Sequence, residues 1–480
     1  MGGSLSNISQ KIVIIRLPLV PRAILKFFII CSLMLSGGSA WATNLADAYN
    51  AAKSHDPVLG AARAGLDATK QIIPQARSQL LPFISSGWNK TWTTRRQPGA
   101  VDFFGNPVQE QDFNQQGWQV QLRQPIFNLE RWYTYTSSKA SVESAEYSFV
   151  ATEQTLIVRT INAYLDVLRA DALLTAVIKA EEAVERQLEQ VQQRFDVGLV
   201  AITDVLEAQA VYDNSIVTRV QAVGDHDIFF EVLRTLAGEP YVAIDYLSES
   251  LPIVDPEPGN EEEWVRVALA TNPNVLAAEA QLTAANRTLR ARWSSHLPTI
   301  DGTVSESAFE SEISDNTVGL KTESSTYSIS ISMPIYQGGF THSRAKEAEA
   351  QRERARQMLQ DSRLTVSRDT RNLFRAVTTD VVRVRARLKA IESATSALDA
   401  TQTGYEVGTR NIVDVLNATN SLYSSQFDYA DSRFNYVRSL INLKQLAGTL
   451  SAADLNDVSS YTDPNQPVGR QASLAIRTVN

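Results

Sequence analysis

The chain has 480 residues, of which 44% are hydrophobic and 20% charged, and its formal charge is −8. This composition excludes a disordered chain and one built mainly from membrane-spanning helices, which would need many runs of about 20 apolar residues. A single cysteine excludes a disulfide framework or a thiolate metal cluster. The acidic balance argues against a protein that coats nucleic acid, because binding phosphates needs a basic surface. The length alone suggests about three domains.

The first segment, residues 1–42, has the pattern of a secretory signal peptide. Arg22 and Lys26 precede the short apolar run Phe27–Leu35, and the small residues of Ala40-Trp41-Ala42 follow it as a cleavage site. The alternative is a membrane anchor, but the apolar run is short for a bilayer. We therefore predict an exported protein.

Removal of the signal segment changes the charge and the cysteine count of the mature chain. Cys31 leaves with the segment, and no small-residue box marks it for lipid attachment. The segment carries four basic residues and no acid, so the mature charge becomes −12. We therefore expect a mature chain that is more acidic and does not rely on disulfides.

An internal repeat organises the rest of the chain. Five short motifs recur at offsets of 209 to 216 residues. The pairs are Asp56-Pro57 with Asn272-Pro273, Leu81-Pro82 with Leu297-Pro298, Pro125-Ile126-Phe127 with Pro334-Ile335-Tyr336, Val197-Gly198 with Val407-Gly408, and Leu236-Ala237-Gly238 with Leu446-Ala447-Gly448. Fixed offsets of this kind indicate a structural repeat. We predict a first repeat over 43–240, a connector over 241–262, a second repeat over 263–450 and a polar tail over 451–480.

Each repeat opens with a helix and two strands. Ala-rich amphipathic stretches predict the helices 45–73 and 263–293. Alternation of apolar and polar residues predicts strands, clearest where Trp118, Val120 and Leu122 alternate with polar neighbours. The four predicted strands are 82–96, 114–127, 298–309 and 325–336. Polar loops, Arg95–Phe113 and Ala308–Ser325, join the strands of each pair.

A long helical hairpin closes each repeat. Neither 128–238 nor 340–448 contains a proline, and apolar residues in the first follow coiled-coil spacing. The glycine-bearing segments 197–203 and 407–413 interrupt these stretches, which predicts the tips of the hairpins. A helix from about residue 130 to 196 would be about 100 Å long at 1.5 Å per residue.

The strands are compatible with a transmembrane barrel. Alternation over about ten residues is typical of a strand with lipid on one side and a lumen on the other. The alternative is a half-exposed soluble sheet. An export signal favours the membrane, and Trp88, Trp92, Trp118 and Tyr327 could form an interfacial aromatic girdle. Four strands cannot close a barrel, so closure needs other copies of the chain. Two copies would give eight strands. Three copies would give twelve strands, which is wide enough to begin to hold an aqueous lumen.

Several motifs resemble the TolC family of outer-membrane efflux ducts, over essentially the whole mature chain. The motifs are Arg-Phe-Asp-Val-Gly-Leu-Val-Ala-Ile-Thr-Asp-Val at 194–205, Tyr-Glu-Val-Gly-Thr-Arg-Asn-Ile-Val-Asp-Val-Leu at 405–416, His-Leu-Pro-Thr at 296–299 and Pro-Ile-Tyr-Gln-Gly-Gly at 334–339. The resemblance implies an α+β membrane protein: a homotrimer with a twelve-stranded barrel in outer-membrane lipid and a long α-helical barrel in the periplasm. It also implies docking to a periplasmic adaptor and to an inner-membrane efflux pump or ABC transporter, and outward conduction of drugs or secreted proteins.

The resemblance further implies a gate at the hairpin tips. Thr203 and Asp204 on the first tip, and Tyr405 and Arg410 on the second, occupy the positions of polar links that keep the periplasmic end shut. Tyr405 and Arg410 bonding to Asp204 is chemically sensible, because charge-assisted hydrogen bonds are strong and exchangeable. The alternative is that Thr203 and Asp204 only cap the returning helix.

The family also has two acidic residues per chain that form a cation-selective ring. Asp414 matches the first position, whereas the second is Asn417 here. Three carboxylates in place of six would weaken the field that favours cations and trivalent blockers. The alternative for Asp414 is a solvated helix residue.

The tips also match the positions at which the adaptor docks in this family. These residues are Val197, Gly198, Leu199, Val407, Gly408 and Thr409.

We find no pattern typical of an enzyme, a cofactor site or a nucleic-acid site. The four histidines are scattered, no phosphate-binding glycine loop is present, and the mature chain has no thiolate. The competing class is a periplasmic or surface coiled-coil stalk or adhesin, which would explain the long helices but not the paired strands.

Overall fold

The computed structural model describes residues 43–95, 98–99, 101, 103–105, 111–313 and 316–470. The predicted signal segment and the last ten residues of the predicted tail lie outside the described residues. The first half of the chain contains α1 (Leu45–His55), α2 (Pro57–Lys70), α3 (Ile72–Ser78), β1 (Phe83–Arg95), β2 (Gln111–Phe127), α4 (Leu129–Asp196) and α5 (Ile202–Ala237). The second half contains β3 (Ala243–Leu247), α6 (Glu261–Thr271), α7 (Pro273–Ser294), β4 (Thr299–Ile313), β5 (Asn316–Ser332), α8 (Phe340–Glu406), α9 (Ile412–Leu446), α10 (Ala452–Ser459) and β6 (Thr462–Gly469). The order of helices, strand pair and long hairpin is the same in both halves, which confirms the repeat.

The opening helix of each repeat is broken, where the sequence predicts one continuous helix over 45–73 and another over 263–293. The matching breaks in the two repeats fall at prolines, at Asp56-Pro57 and at Asn272-Pro273. The first repeat has a further break at Gln71, shortly before Pro74. The side chain before the proline caps the next helix: the Val58 N–H donates to Asp56 Oδ1 at 2.6 Å, and Asn272 accepts in the same way. Proline lacks the N–H that a helix interior needs but fits the first turn of a new helix.

The four long strands form one antiparallel sheet in the order β1-β2-β4-β5. The pairing of β1 with β2 and of β4 with β5 is as expected, but the bounds 298–309 and 325–336 are wrong. The ladder of β4 and β5 continues through much of the predicted loop, where Phe309 pairs with Thr322. These polar residues carry no alternation that would have indicated strands. Strand β5 ends at Ser332, shortly before Pro334, which cannot donate to a ladder.

One face of this sheet is apolar and the other is polar. Residues in register across the four strands lie on the same face, since side chains alternate along each strand. One apolar row is Ile84, Leu122, Val304 and Tyr327. The adjacent row, on the opposite face, is Ser85, Gln121, Ser305 and Thr326. Within the described part of the chain the apolar face is largely uncovered, since Tyr327 is 75% exposed.

Two helical hairpins leave the sheet. Helix α4 has 68 residues and α8 has 67, so each is about 100 Å long. The return helices α5 and α9 are about half as long, with 36 and 35 residues. Each long helix is followed by a glycine with positive φ, Gly198 after α4 and Gly408 after α8. Hydrogen bonds close the reversal of the chain: in the first tip, the Leu199 N–H donates to the Arg194 carbonyl at 2.8 Å. The turns are slightly shorter than predicted, because α5 begins at Ile202 and α9 at Ile412.

The connector and the tail contain elements that the sequence did not predict: strand β3 in the connector 241–262, and α10 and β6 in the predicted polar tail 451–480. Strand β3 from the connector pairs with β6 from the tail, with Ile244 opposite Val468. Leu455 of α10 is fully buried, and Asp454 forms a capping box with Ser451. The sequence signal is weak here, because the few apolar residues of these segments find partners more than 200 positions away.

The main hydrophobic core lies where the two halves meet β3 and β6. It joins residues from the short helices, both long hairpins and the small sheet. Its buried members include Leu45, Tyr49, Ile161, Leu168, Phe230, Ile244, Val377, Phe434, Leu455 and Val468. This core fixes the two hairpins to each other midway along their long helices.

Across the part of the chain that the structure describes, none of the helices has an apolar stretch long enough to cross a membrane.

A glycine between the second hairpin and α6 gives a test of this packing. Gly448 has a φ of +71°, and a Cβ there would lie 2.3 Å from the carbonyl oxygen of Thr271. Gly338 has a similar φ of +60° but open space around it. We expect Gly338→Ala to cost about 1–2 kcal/mol for the left-handed backbone, and Gly448→Ala to cost about 1–3 kcal/mol more for the clash. Thermal unfolding of the detergent-solubilised protein, followed by circular dichroism, measures the loss of stability in each variant. Equal melting temperatures for the two variants would contradict the close packing of Gly448 against Thr271.

Candidate functional site

The tips of the two hairpins pack together at the end farthest from the sheet. All four helix ends contribute apolar side chains to one buried cluster. Its members are Val184, Val191, Val205, Ala208, Tyr405, Ile412, Val415 and Leu416. The coiled-coil spacing of the sequence explains this cluster, since residues at that spacing share one side of a helix. The tips of one chain therefore form a single packed unit.

The predicted docking residues lie on the outer surface of this unit. Val197 and Leu199 of the first tip are 71% and 74% exposed, and Val407 of the second is 69% exposed. Gly198 and Gly408 give the backbone its reversal. Thr409 donates its hydroxyl to the Gly404 carbonyl at 3.0 Å. Exposed apolar residues at two matching turns are suited to contact another protein.

Thr203 and Asp204 lie in the first turn of α5, but neither is the cap of that helix. Ala201 occupies the cap position and offers no side-chain hydrogen bond. Thr203 is exposed and Asp204 is half-buried, and within the described part of this protomer neither side chain has a hydrogen-bond partner. The carboxylate in the first turn still interacts favourably with the helix dipole. The capping alternative is therefore wrong, and both polar groups are available to another chain.

The structure does not bring Tyr405 or Arg410 into contact with Asp204 in one protomer. The Tyr405 side chain is 8% exposed, and its hydroxyl is buried without a hydrogen-bond partner among the described residues. Arg410 instead faces Asp414, one turn further along, with 3.7 Å between Nη1 and Oδ2. A buried polar group without a partner costs about 1–3 kcal/mol. The predicted links can therefore form only between protomers or after a rearrangement.

Asp414 and Asn417 lie on one side of α9, three residues apart. The Asp414 backbone N–H donates to Asn411 Oδ1 at 2.8 Å, which starts the helix, and its carboxylate is half-exposed. Asn417 is exposed. Arg410 partly neutralises Asp414, a feature that the spacing of four residues in the sequence could have indicated.

Sequence reasoning did not identify Arg194 at this site. Its guanidinium lies over the Tyr405 ring, with 4.8 Å between the guanidinium carbon and the ring centre. No sequence pattern reports this contact, because it joins residues of different hairpins. Among the described residues, the histidines and carboxylates form no cluster that could hold a metal ion.

Comparisons with known proteins agree with this architecture. Residues 48–239 and 264–449 match the family described as "Outer membrane efflux protein". The chain is 32% identical to outer membrane protein TolC of Vibrio cholerae, over 92% of this chain and 98% of the relative. It is 34% identical to outer membrane protein TolC of Escherichia coli, over 89% and 87% of the two chains.

A more distant relative and a solved structure extend the comparison. The alkaline protease secretion protein AprF of Pseudomonas aeruginosa is 25% identical over 92% of each chain. A crystal structure of CusC has a TM-score of 0.74 at 15% identity, covering 85% of this chain and 93% of that one. The likeness to CusC concerns the fold alone.

Proposed function

This chain belongs to the outer membrane efflux protein family, and from that membership we propose that three copies form a conduit docked to a periplasmic adaptor and an energised inner-membrane transporter. It is an outer-membrane protein with a long periplasmic helical extension. The observation that carries the proposal is the four-stranded sheet, which has one apolar face and two open edges.

The open edges require other copies. Within the described residues, the outer edges of β1 and β5 have no strand partner. Unpaired backbone groups cannot face lipid, so a sheet in a membrane must close. Three copies close twelve strands around an aqueous lumen, with the polar face inside. Eight strands from two copies would leave the interior filled by side chains.

The height of the apolar face fits a membrane. Along β4, the face runs from Ile300 to Ala308, and eight steps of about 3.4 Å span about 27 Å along the strand, or about 21 Å along the axis of a barrel whose strands tilt by about 40°. Outer-membrane barrels have an apolar band of about 25 Å. Glu306 is a polar residue on this face, and its carboxylate accepts a hydrogen bond from the Ser325 hydroxyl at 2.7 Å. Trp118 lies opposite Ala308, where an interfacial tryptophan is expected.

The helical part also presents a surface suited to a second copy. Six large apolar residues of α5 remain between 45% and 65% exposed, and their spacing places them on one side of the helix. They are Ile202, Leu206, Val217, Val220, Ile228 and Val232. Packing against the hairpins of a neighbouring copy would cover this stripe and continue the barrel as a helical tube.

We infer that the substrates are drugs or secreted proteins. The family description names efflux, and AprF is named for the secretion of a protease. A stalk or adhesin would leave the two-faced sheet without a role. The chain has no motif for an energy source, so transport depends on the inner-membrane partner.

Complementation tests the conduit and its docking surface. In a strain that lacks its own outer-membrane channel, this chain should restore growth on drugs, secretion of a protease, or both. Leu199→Asp together with Val407→Asp should abolish this activity without lowering the amount of complex, because charges would replace the apolar tips. Val254→Asp, which changes an exposed residue of the connector, is the control. Failure of the unchanged chain to restore either phenotype would contradict the proposal.

The gate makes a second prediction. If the tips are latched between protomers, Arg410→Ser and Tyr405→Phe should each raise single-channel conductance in planar bilayers, because each removes one polar link. Lys389→Ser removes an exposed cation of α8 far from the tip and should leave conductance unchanged. Arg410→Ser also frees Asp414, so Tyr405→Phe is the independent check. Wild-type conductance in both tip variants would rule out the latch.

The proposed cation-selective ring of Asp414 and Asn417 gives a third prediction. Asn417→Asp would restore six carboxylates to a trimer, and we expect block by a trivalent cation to become about tenfold tighter. Gln426→Glu adds the same charge on the opposite side of α9 and should change the block little. Titration of a trivalent cation against single-channel current measures both. Equal block in the two variants would show that Asn417 does not face the pore.

A further inference from the structure

One contact joins the two hairpin tips of a single chain and has no role in the predicted latch. Arg194 lies in the last turn of α4, and Tyr405 lies in the last turn of α8. The Arg194 guanidinium lies 4.8 Å from the centre of the Tyr405 ring, within the range of a cation–π interaction. The contact therefore connects the first hairpin to a residue of the proposed gate.

The surroundings of Arg194 favour this contact over others. Among the described residues, its side chain forms no ion pair with an acid. A cavity of about 560 Å³ beside the pair is walled largely by the uncharged amides of Gln187, Gln190, Gln193 and Gln402. Glu406 also lines the cavity, yet it forms no ion pair with Arg194 in the described part of the chain. The guanidinium therefore lies over the ring although neither an acid nor a wall of charged groups directs it there.

The Tyr405 ring has neighbours that hold it in place but do not fix its direction. It packs in the apolar cluster with Val191, Ile412 and Val415, and its hydroxyl has no hydrogen-bond partner among the described residues. Apolar contacts are non-directional. The interaction with a cation depends on the face of the ring, so it adds the missing orientational preference.

We propose that Arg194 is a positioning residue of the gate, which holds the ring of Tyr405 from the neighbouring hairpin of the same chain. The proposal rests on the gate described under the proposed function. In the closed trimer, the grip of Arg194 on the ring keeps the second tip, and with it Arg410, in place for the latch. Loss of the cation loosens the second tip and favours the open state.

Single-channel recording tests the proposal. Arg194→Gln should raise the occupancy of the open state about two- to fivefold, the range expected for loss of one partly exposed cation–π contact. Arg194→Lys keeps a cation and should remain close to wild type. Arg186→Gln removes an exposed arginine two turns earlier on α4 and serves as the control. Arg194→Gln with wild-type occupancy would overturn the proposal, as would a shift of equal size in Arg194→Lys or Arg186→Gln.

A double-mutant cycle separates positioning from general loosening of the tip. Arg194→Gln should have no further effect in a Tyr405→Leu background, which lacks the ring, but should keep its effect in Tyr405→Phe, which retains the ring. An equal effect in both backgrounds would overturn the proposal, because Arg194 would then act elsewhere. All variants are compared as trimers with unchanged melting temperature.

Failure of this inference can be distinguished from failure of the gate itself. If Arg410→Ser opens the channel and Arg194→Gln does not, the gate stands and the role of Arg194 is wrong. If Arg410→Ser, Tyr405→Phe and Arg194→Gln all leave the current unchanged, both the gate and the role of Arg194 are wrong.

Discussion

The architecture depends on the need to pair every backbone group of a sheet that faces lipid. The four strands of one chain have an apolar face, a polar face and two outer edges without partners in the described structure. Such a sheet is stable in a membrane only when other copies close it. Closure by three copies creates the lumen, and it also places six hairpins around the same axis. The apolar stripe on α5, exposed in one chain, then has a surface to cover it.

Much of the fold could be predicted from the sequence because its signals are local. The missing prolines, the apolar spacing and the paired Val-Gly motifs indicate two long hairpins, and the alternation around Trp118 indicates a two-faced strand. The parts that could not be predicted depend on distant partners. The tail pairs with the connector through Val468 and Ile244, and the polar ends of β4 and β5 are strands because they pair with each other. Asp56-Pro57 is visible as a repeat motif, but the amphipathic pattern continues on both sides of it, so the sequence predicts one helix where the structure has a break.

The candidate site, like the fold, can be predicted from the sequence only where the signals are local. The positions of the tip residues follow from the repeat and the motifs, and the exposure of Val197, Leu199 and Val407 agrees with a docking surface. Their partners do not follow from the sequence. Arg410 faces Asp414 on its own helix, the Tyr405 hydroxyl has no partner among the described residues, and Arg194 approaches Tyr405 from the other hairpin. The proposed gate would combine contacts inside a chain, which position its residues, with contacts between chains, which close it.

The mass of the complex tests the central claim most directly. After extraction from outer membranes in a mild detergent, light scattering corrected for bound detergent measures how many chains each particle contains. Closure of twelve strands predicts three chains per particle. A particle of one or two chains would contradict the account, because the open edges of the sheet would then need a different explanation.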